Sequence, residues 1–227
     1  MPSQLTGRVV NLKWDDFKGT PPGNKAKELE DAIPGKNVFL AATFSKFVAT
    51  FGGAKQANLE KVGSSFKLKD DVTLAVTFDQ SKSWKVIDHL SVKGQGFLLD
   101  HEQGHYNITA LMGRDCFIEI MALKRQTYSS ELDGRNAVQT VLNQYMDSLN
   151  KIQSKYDWDT NHGTWNVPSM GPISKGAEQE RWEGYIRKAF TAERPSGEVA
   201  PDGASYKLRL IDVARAGIVS RNETPVF

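Results

Sequence analysis

The sequence predicts an α+β fold, with a mostly antiparallel small sheet packed on two long helices, followed by a C-terminal helix and a late strand. Three observations carry this prediction. Segments rich in β-branched and aromatic residues, separated by turn formers, crowd the N-terminal part. Two long stripes of apolar residues at helical spacing fill the middle, and an alternating segment returns only near the end. Strands, then helices, then a strand argue for segregated α+β packing in one domain.

Taken in order, "GRVVNLKW" (7–14) and "KNVFLAATFSKFVATF" (36–51) have strand composition, and "GTPPGNK" between them is dense in turn formers. "DVTLAVTFD" alternates cleanly: Val72, Leu74, Val76 and Phe78 share one face while Thr73, Ala75 and Thr77 take the other. From about Gly96 to Leu123, Leu98, Leu99, Ile108, Leu111, Met112, Ile118 and Met121 recur near helical spacing without a proline, predicting a long helix bent at Gly113. A second helix is expected from about Leu132 to Lys155 on the stripe Val138, Val141, Leu142, Tyr145, Met146, Leu149 and Ile152. "YDWDTNHGTWNVPSMGP" reads as a loop, "SKGAEQERWEGYIRKAFTAE" as a third helix, and "YKLRLIDVA" as a late strand. The domain is expected to span residues 1–195, with 196–227 as an extension that can rejoin it.

Composition narrows the function classes. The 227 residues carry 29 basic and 27 acidic side chains, a formal charge of +2, without the basic surface that nucleic acid binding requires. The expected partner is a peptide or protein, with no nucleic acid and no membrane insertion, since no apolar run approaches the ~20 residues of a bilayer span. The N-terminus lacks the basic start and apolar core of a secretory signal, which leaves a cytoplasmic location or a signal-independent export route. Oligomeric state has no signature here. The single cysteine, Cys116, excludes a disulfide framework and a Cys-rich metal site, and is expected in the core.

The chemistry concentrates in "LLDHEQGHYNITALMG". On a helix His101 and His105 lie one turn apart on one face, where two imidazoles can grip a single ion. Glu102 sits ~100° round the helix, placed as a general base. This is the HExxH arrangement of a zincin: zinc lowers the pKa of its water towards ~7, and the glutamate accepts the proton as a peptide carbonyl is attacked. The alternative is a pair of satisfied core histidines beside a solvated glutamate.

A third ligand is needed. Ile108 and Leu111 occupy the glycine and histidine positions of a metzincin, which excludes that class. Glu119 lies ~21 Å further along an unbroken helix and cannot reach the ion, whereas Glu131 lies beyond it. "YDWDTNHG" offers His162 as the favoured ligand, with Asp157 or Asp159 as alternative ligands or as supports for a ligand histidine. Tyr156 is a candidate donor to the developing oxyanion. His89 is expected at the surface.

The segments "LKWDDFKG", "SKSW", "LLDHEQGHYNI" and "YDWDTNHG", in that order over about residues 12–165, resemble the predicted secreted zinc-dependent proteases of bacteria, a family formerly described only as a domain of unknown function. Tyr106 stands where that family usually has phenylalanine and Asn107 where it has aspartate; the tail beyond about residue 190 has no counterpart. The resemblance implies metallopeptidase activity. The leading expectation is therefore a zinc endopeptidase, its substrate extended along a sheet edge such as "DVTLAVTFD". A non-catalytic, zinc-stabilised protein-binding module and a substrate-specific effector or toxin protease are the competing classes.

Overall fold

The computed structural model describes residues 2–23, 40–88, 90–160 and 176–191. The strands are β1 (Gln4–Thr6), β2 (Ala41–Ala42), β3 (Ser45–Phe51), β4 (Leu59–Val62), β5 (Ser65–Leu68), β6 (Val72–Phe78) and β7 (Trp84–Lys85). The helices are α1 (Val92–Leu123), α2 (Glu131–Asp159) and α3 (Ala177–Thr191). The α+β class is as predicted.

The alternating segment forms β6, the middle strand of a three-stranded sheet ordered β1-β6-β3. Val72, Leu74 and Val76 are buried, so the face assigned from alternation is the core face. β3 runs antiparallel to it over its whole length, from Ser45 opposite Phe78 to Phe51 opposite Val72. β1 pairs in parallel on the other side. "DVTLAVTFD" is therefore not an edge strand: β3 covers one side along its whole length and β1 the other at Thr73–Ala75. β2 pairs with β7, and β4 with β5. The latter hairpin went unread in the sequence, although Gly63 at φ 63 marks its turn.

"GRVVNLKW" is not a strand. Gly7 takes a left-handed conformation (φ 70), and a Cβ there would lie 2.0 Å from the Val76 carbonyl oxygen, so the chain leaves the sheet at this point. Its backbone groups find partners on α1. Tyr106 donates its hydroxyl to the Gly7 carbonyl (2.6 Å), the Gln103 amide nitrogen donates to the Val10 carbonyl (2.9 Å), and the Leu12 N–H donates to Gln103 Oε1 (2.8 Å).

α1 begins where Ser91 Oγ accepts from the Gly94 N–H at 3.1 Å. It continues without a break through Gly113, where the sheet packs closely. A Cβ there would meet Val76, Leu74 and Phe47 at 3.0 to 3.2 Å, so the missing side chain lets the sheet lie against the helix. α2, capped by Ser130 on the Asp133 N–H, runs one turn beyond its predicted end, so Tyr156–Asp159 are helical rather than loop. Tyr145 meets Glu119, Gln153 meets His105, and Tyr156 meets His101, which makes α1 and α2 antiparallel. The core lies between the sheet and these helices, with Ile108, Leu111, Met112, Cys116 and Ile120 fully buried. Burial, with the nearby Glu119 and Asp115 carboxylates, pushes the Cys116 thiol pKa far up, so it is inert packing, as expected. No helix among the described residues is long and apolar enough to cross a membrane. His89, the late strand and the extension from 196 lie outside the described residues.

Candidate metal centre

The antiparallel pairing brings the HExxH turn of α1 against the last turns of α2. His101 Nε2 and His105 Nε2 are 3.1 Å apart, and Asp157 Oδ1 lies 3.2 Å from the first and 2.9 Å from the second. A tetrahedral ion bound at ~2.0 to 2.1 Å separates its donor atoms by ~3.3 Å, so this triangle is close to one face of such a polyhedron. His101, His105 and Asp157 thus form a group that can hold a metal ion.

Of the third-ligand candidates among the described residues, Asp157 lies with the histidines. Asp159 faces away: its carboxylate pairs with Lys155 (2.9 Å) and accepts from Trp182 Nε1 (3.0 Å), tying α2 to α3. His162 lies outside the described residues. Glu119 accepts from the Tyr145 hydroxyl (2.9 Å), four turns from the triangle along α1, as its exclusion required.

Each imidazole is held from behind. His105 Nδ1 is 2.6 Å from Gln153 Oε1, one turn before Asp157 on α2. His101 Nδ1 is 3.2 Å from Gln179 Oε1 on α3 and 3.3 Å from Thr160 Oγ1. None of these three residues carried a signal in the sequence, since an amide or hydroxyl on a helix is ordinarily surface. Tyr156 stacks on His101 (centroids 4.8 Å apart, planes at 11°) and meets His105 edge-on.

The surroundings of Tyr156, the candidate oxyanion donor, are those of a packed side chain. The phenol is fully buried, its hydroxyl donates to the His101 carbonyl (3.2 Å) and lies within hydrogen-bond distance of Gln179, and it does not line the cavity beside the histidines. Burial holds its pKa well above the ordinary 10, outweighing the Gln179 hydrogen bond, so it stays protonated, stacked on His101. Gly104 makes this possible: a Cβ there would stand 2.1 Å from the Tyr156 oxygen.

That cavity, about 360 Å³, opens onto His101, Glu102, His105 and Asp157, and its opposite wall is the chain from Ala41 to Lys46. Phe44 is clamped there, its N–H donating to Ser83 Oγ (2.9 Å) and its carbonyl accepting from the Asp79 N–H (2.8 Å). "SKSW" and "LKWDDFKG" meet at this wall: the Gly19 N–H donates to the Ser83 carbonyl (2.7 Å), and a Cβ on Gly19 would come within 2.8 Å of the Lys82 backbone. Glu102 is 3% exposed, and its Oε2 has no hydrogen-bond partner among the described residues. Around His105, burial opposes the charged form, but the attraction of Asp157, its hydrogen bond and the Glu102 charge prevail, raising the pKa from 6.5 to about 9.

Fold and site together define an α+β protein with a partly buried histidine–histidine–aspartate group of metal-ligand geometry lining a cleft. Residues 69–163 match a family model described as a bacterial protein of unknown function (DUF922). The match includes His101, Glu102, His105 and Asp157 and ends before α3; the description names no activity. No curated protein and no solved structure matches the chain.

Proposed function

We propose that this chain is a zinc-dependent metallopeptidase. The observation that carries the reading is the buried Glu102 carboxylate, whose Oε2 has no hydrogen-bond partner among the described residues, beside three converging donor atoms and open to a cleft. A carboxylate in that state is costly to keep unless a ligand or a reaction uses it. Two imidazole nitrogens and one carboxylate oxygen are a donor set suited to zinc, and three protein ligands leave the open position that distinguishes catalytic from structural sites.

A bound zinc ion supplies Lewis acidity, acidifying water and polarising a peptide carbonyl. The protein supplies the rest. Asp157, His101 and His105 would hold the ion, and Glu102 would take the proton of the attacking water and deliver it to the leaving amine nitrogen. The Ala41–Lys46 wall excludes solvent from one side and offers backbone to an extended peptide.

The test is Glu102→Gln, assayed by zinc stoichiometry and by mass spectrometry of a mixed peptide library. The expected result is full zinc content with cleavage lost by at least ~10³-fold, in line with removal of an essential proton carrier. Undiminished cleavage, or a wild-type protein that takes up no zinc, would overturn the reading.

A further inference from the structure

We propose that Gln153 and Gln179 are positioning residues, a pair of neutral amide clamps that lock His105 and His101 in the Nδ1–H tautomer and so present both Nε2 lone pairs to the ion. The inference rests on the metal centre proposed above.

The heavy atoms dictate the proton positions. Gln153 Nε2 faces the His105 carbonyl oxygen (3.0 Å) and Thr109 Oγ1 (3.0 Å), and a carbonyl can only accept, so the nitrogen end of the amide must be there. Its oxygen then faces His105 Nδ1 at 2.6 Å, and that ring nitrogen must donate. The same logic holds at His101. Gln179 Nε2 faces the Glu183 carboxylate (2.9 Å), which places Oε1 against Nδ1 at 3.2 Å. Thr160 gives its hydroxyl proton to the Tyr156 carbonyl (2.6 Å) and can therefore only accept from His101 Nδ1. With Nδ1 protonated in both neutral rings, the two Nε2 atoms, 3.1 Å apart, carry lone pairs directed at the Asp157 carboxylate region.

Two consequences follow. Ligand histidines commonly lean on a carboxylate, which adds negative charge behind the ring; amides orient without adding it, and leave the ion the more Lewis-acidic. Further, Gln179 lies on α3, beyond the segment that matches the bacterial family, so that helix belongs to the centre.

The test compares wild type with Gln153→Ala, Gln153→Glu and Gln179→Ala. It reads zinc affinity by chelator competition, the visible spectrum of the cobalt-substituted protein, and the melting temperature as a fold control. Gln153→Ala is expected to lose ~10- to 100-fold in affinity and to shift the cobalt bands. Gln153→Glu retains an acceptor for Nδ1–H and is expected to recover most of that loss. Gln179→Ala loses less, because Thr160 still accepts. Long-range proton–nitrogen NMR of the metal-free protein, at a pH high enough that both rings are neutral, reads the tautomers without any ion. Zinc uptake with tautomers, affinity and spectrum unchanged in a folded Gln153→Ala protein refutes the clamps and leaves the metal centre standing. Tautomers that depend on Gln153 in a protein that binds no zinc support the clamps and refute the metal reading.

Discussion

Gly104 offers the sharpest perturbation of the centre. In Gly104→Ala, the new methyl carbon meets the Tyr156 oxygen at 2.1 Å and its ring carbon Cζ at 2.5 Å. Ordinary contacts are ~3.5 Å or more, so the ring must retreat by over ~1 Å. It has no free direction, since Tyr156 is fully buried, stacked on His101 and backed by Trp182 at 5.4 Å. Overpacking of this kind costs ~1 to 3 kcal/mol, while alanine in place of a helical glycine returns ~1 kcal/mol. Net destabilisation of ~0 to 2 kcal/mol predicts a melting temperature lowered by no more than several degrees. The centre suffers more than the fold. Asp157 follows Tyr156 directly and moves with it, and a shift of ~1 Å opens a triangle whose edges are near 3 Å, so zinc affinity is expected to fall at least ~10-fold. Calorimetric melting and chelator competition measure the two effects separately. A variant with wild-type affinity and melting temperature would refute the packing argument.

Further expectations concern individual side chains. Asp157→Ala should lose zinc by ~100-fold or more, whereas Asp159→Ala, which breaks the Lys155, Arg181 and Trp182 contacts, should keep stoichiometric zinc; metal analysis of both distinguishes the two aspartates. Tyr156→Phe should cost ~1 to 2 kcal/mol of stability in denaturant titration without the ~10² to 10³ loss of turnover expected of an oxyanion donor. In the metal-free protein His105 is protonated up to pH about 9. Its contribution to stability is complete below the unfolded value near ~6.5 and disappears as pH rises through about 9. Because zinc must displace that proton, affinity should climb by about tenfold per pH unit between these limits and then level off, as read by competition titrations across that range. His162→Ala should leave the zinc stoichiometry unchanged; loss of the metal would mean a fourth protein ligand and a closed, structural site.

What was legible in the sequence was whatever depends on local period or local chemistry. Val72–Phe78 alternates, the stripes of α1 and α2 repeat at helical spacing, and the His101–Glu102–His105 spacing needs only a helix to acquire its geometry. What was hidden depends on partners distant in the chain. "GRVVNLKW" has strand composition, but Gly7 and the Gln103 side chain redirect it; local propensity yields to a contact 91 residues away. Tyr156–Asp159 has loop composition, and is helical because Tyr156 and Asp157 pack on α1 one turn after Gln153 does. Asp157 could be told from Asp159 only once the helix was known to continue, because two positions along a helix turn a side chain through ~200°. Gln153 and Gln179 act through histidines 48 and 78 residues away, a relation that spacing along one chain does not express.

The joining of His101 to Asp157 also bears on how this protein endures. An ion seated between them would be a cross-link spanning 56 residues, fastening the first third of one long helix to the end of the next, a link that solvent conditions can make or undo. Its binding free energy counts towards holding the chain folded, as a disulfide's would in a chain that has only one cysteine. On the proposed reading, durability is tied to metal supply, and a cell short of the ion would carry a softer molecule.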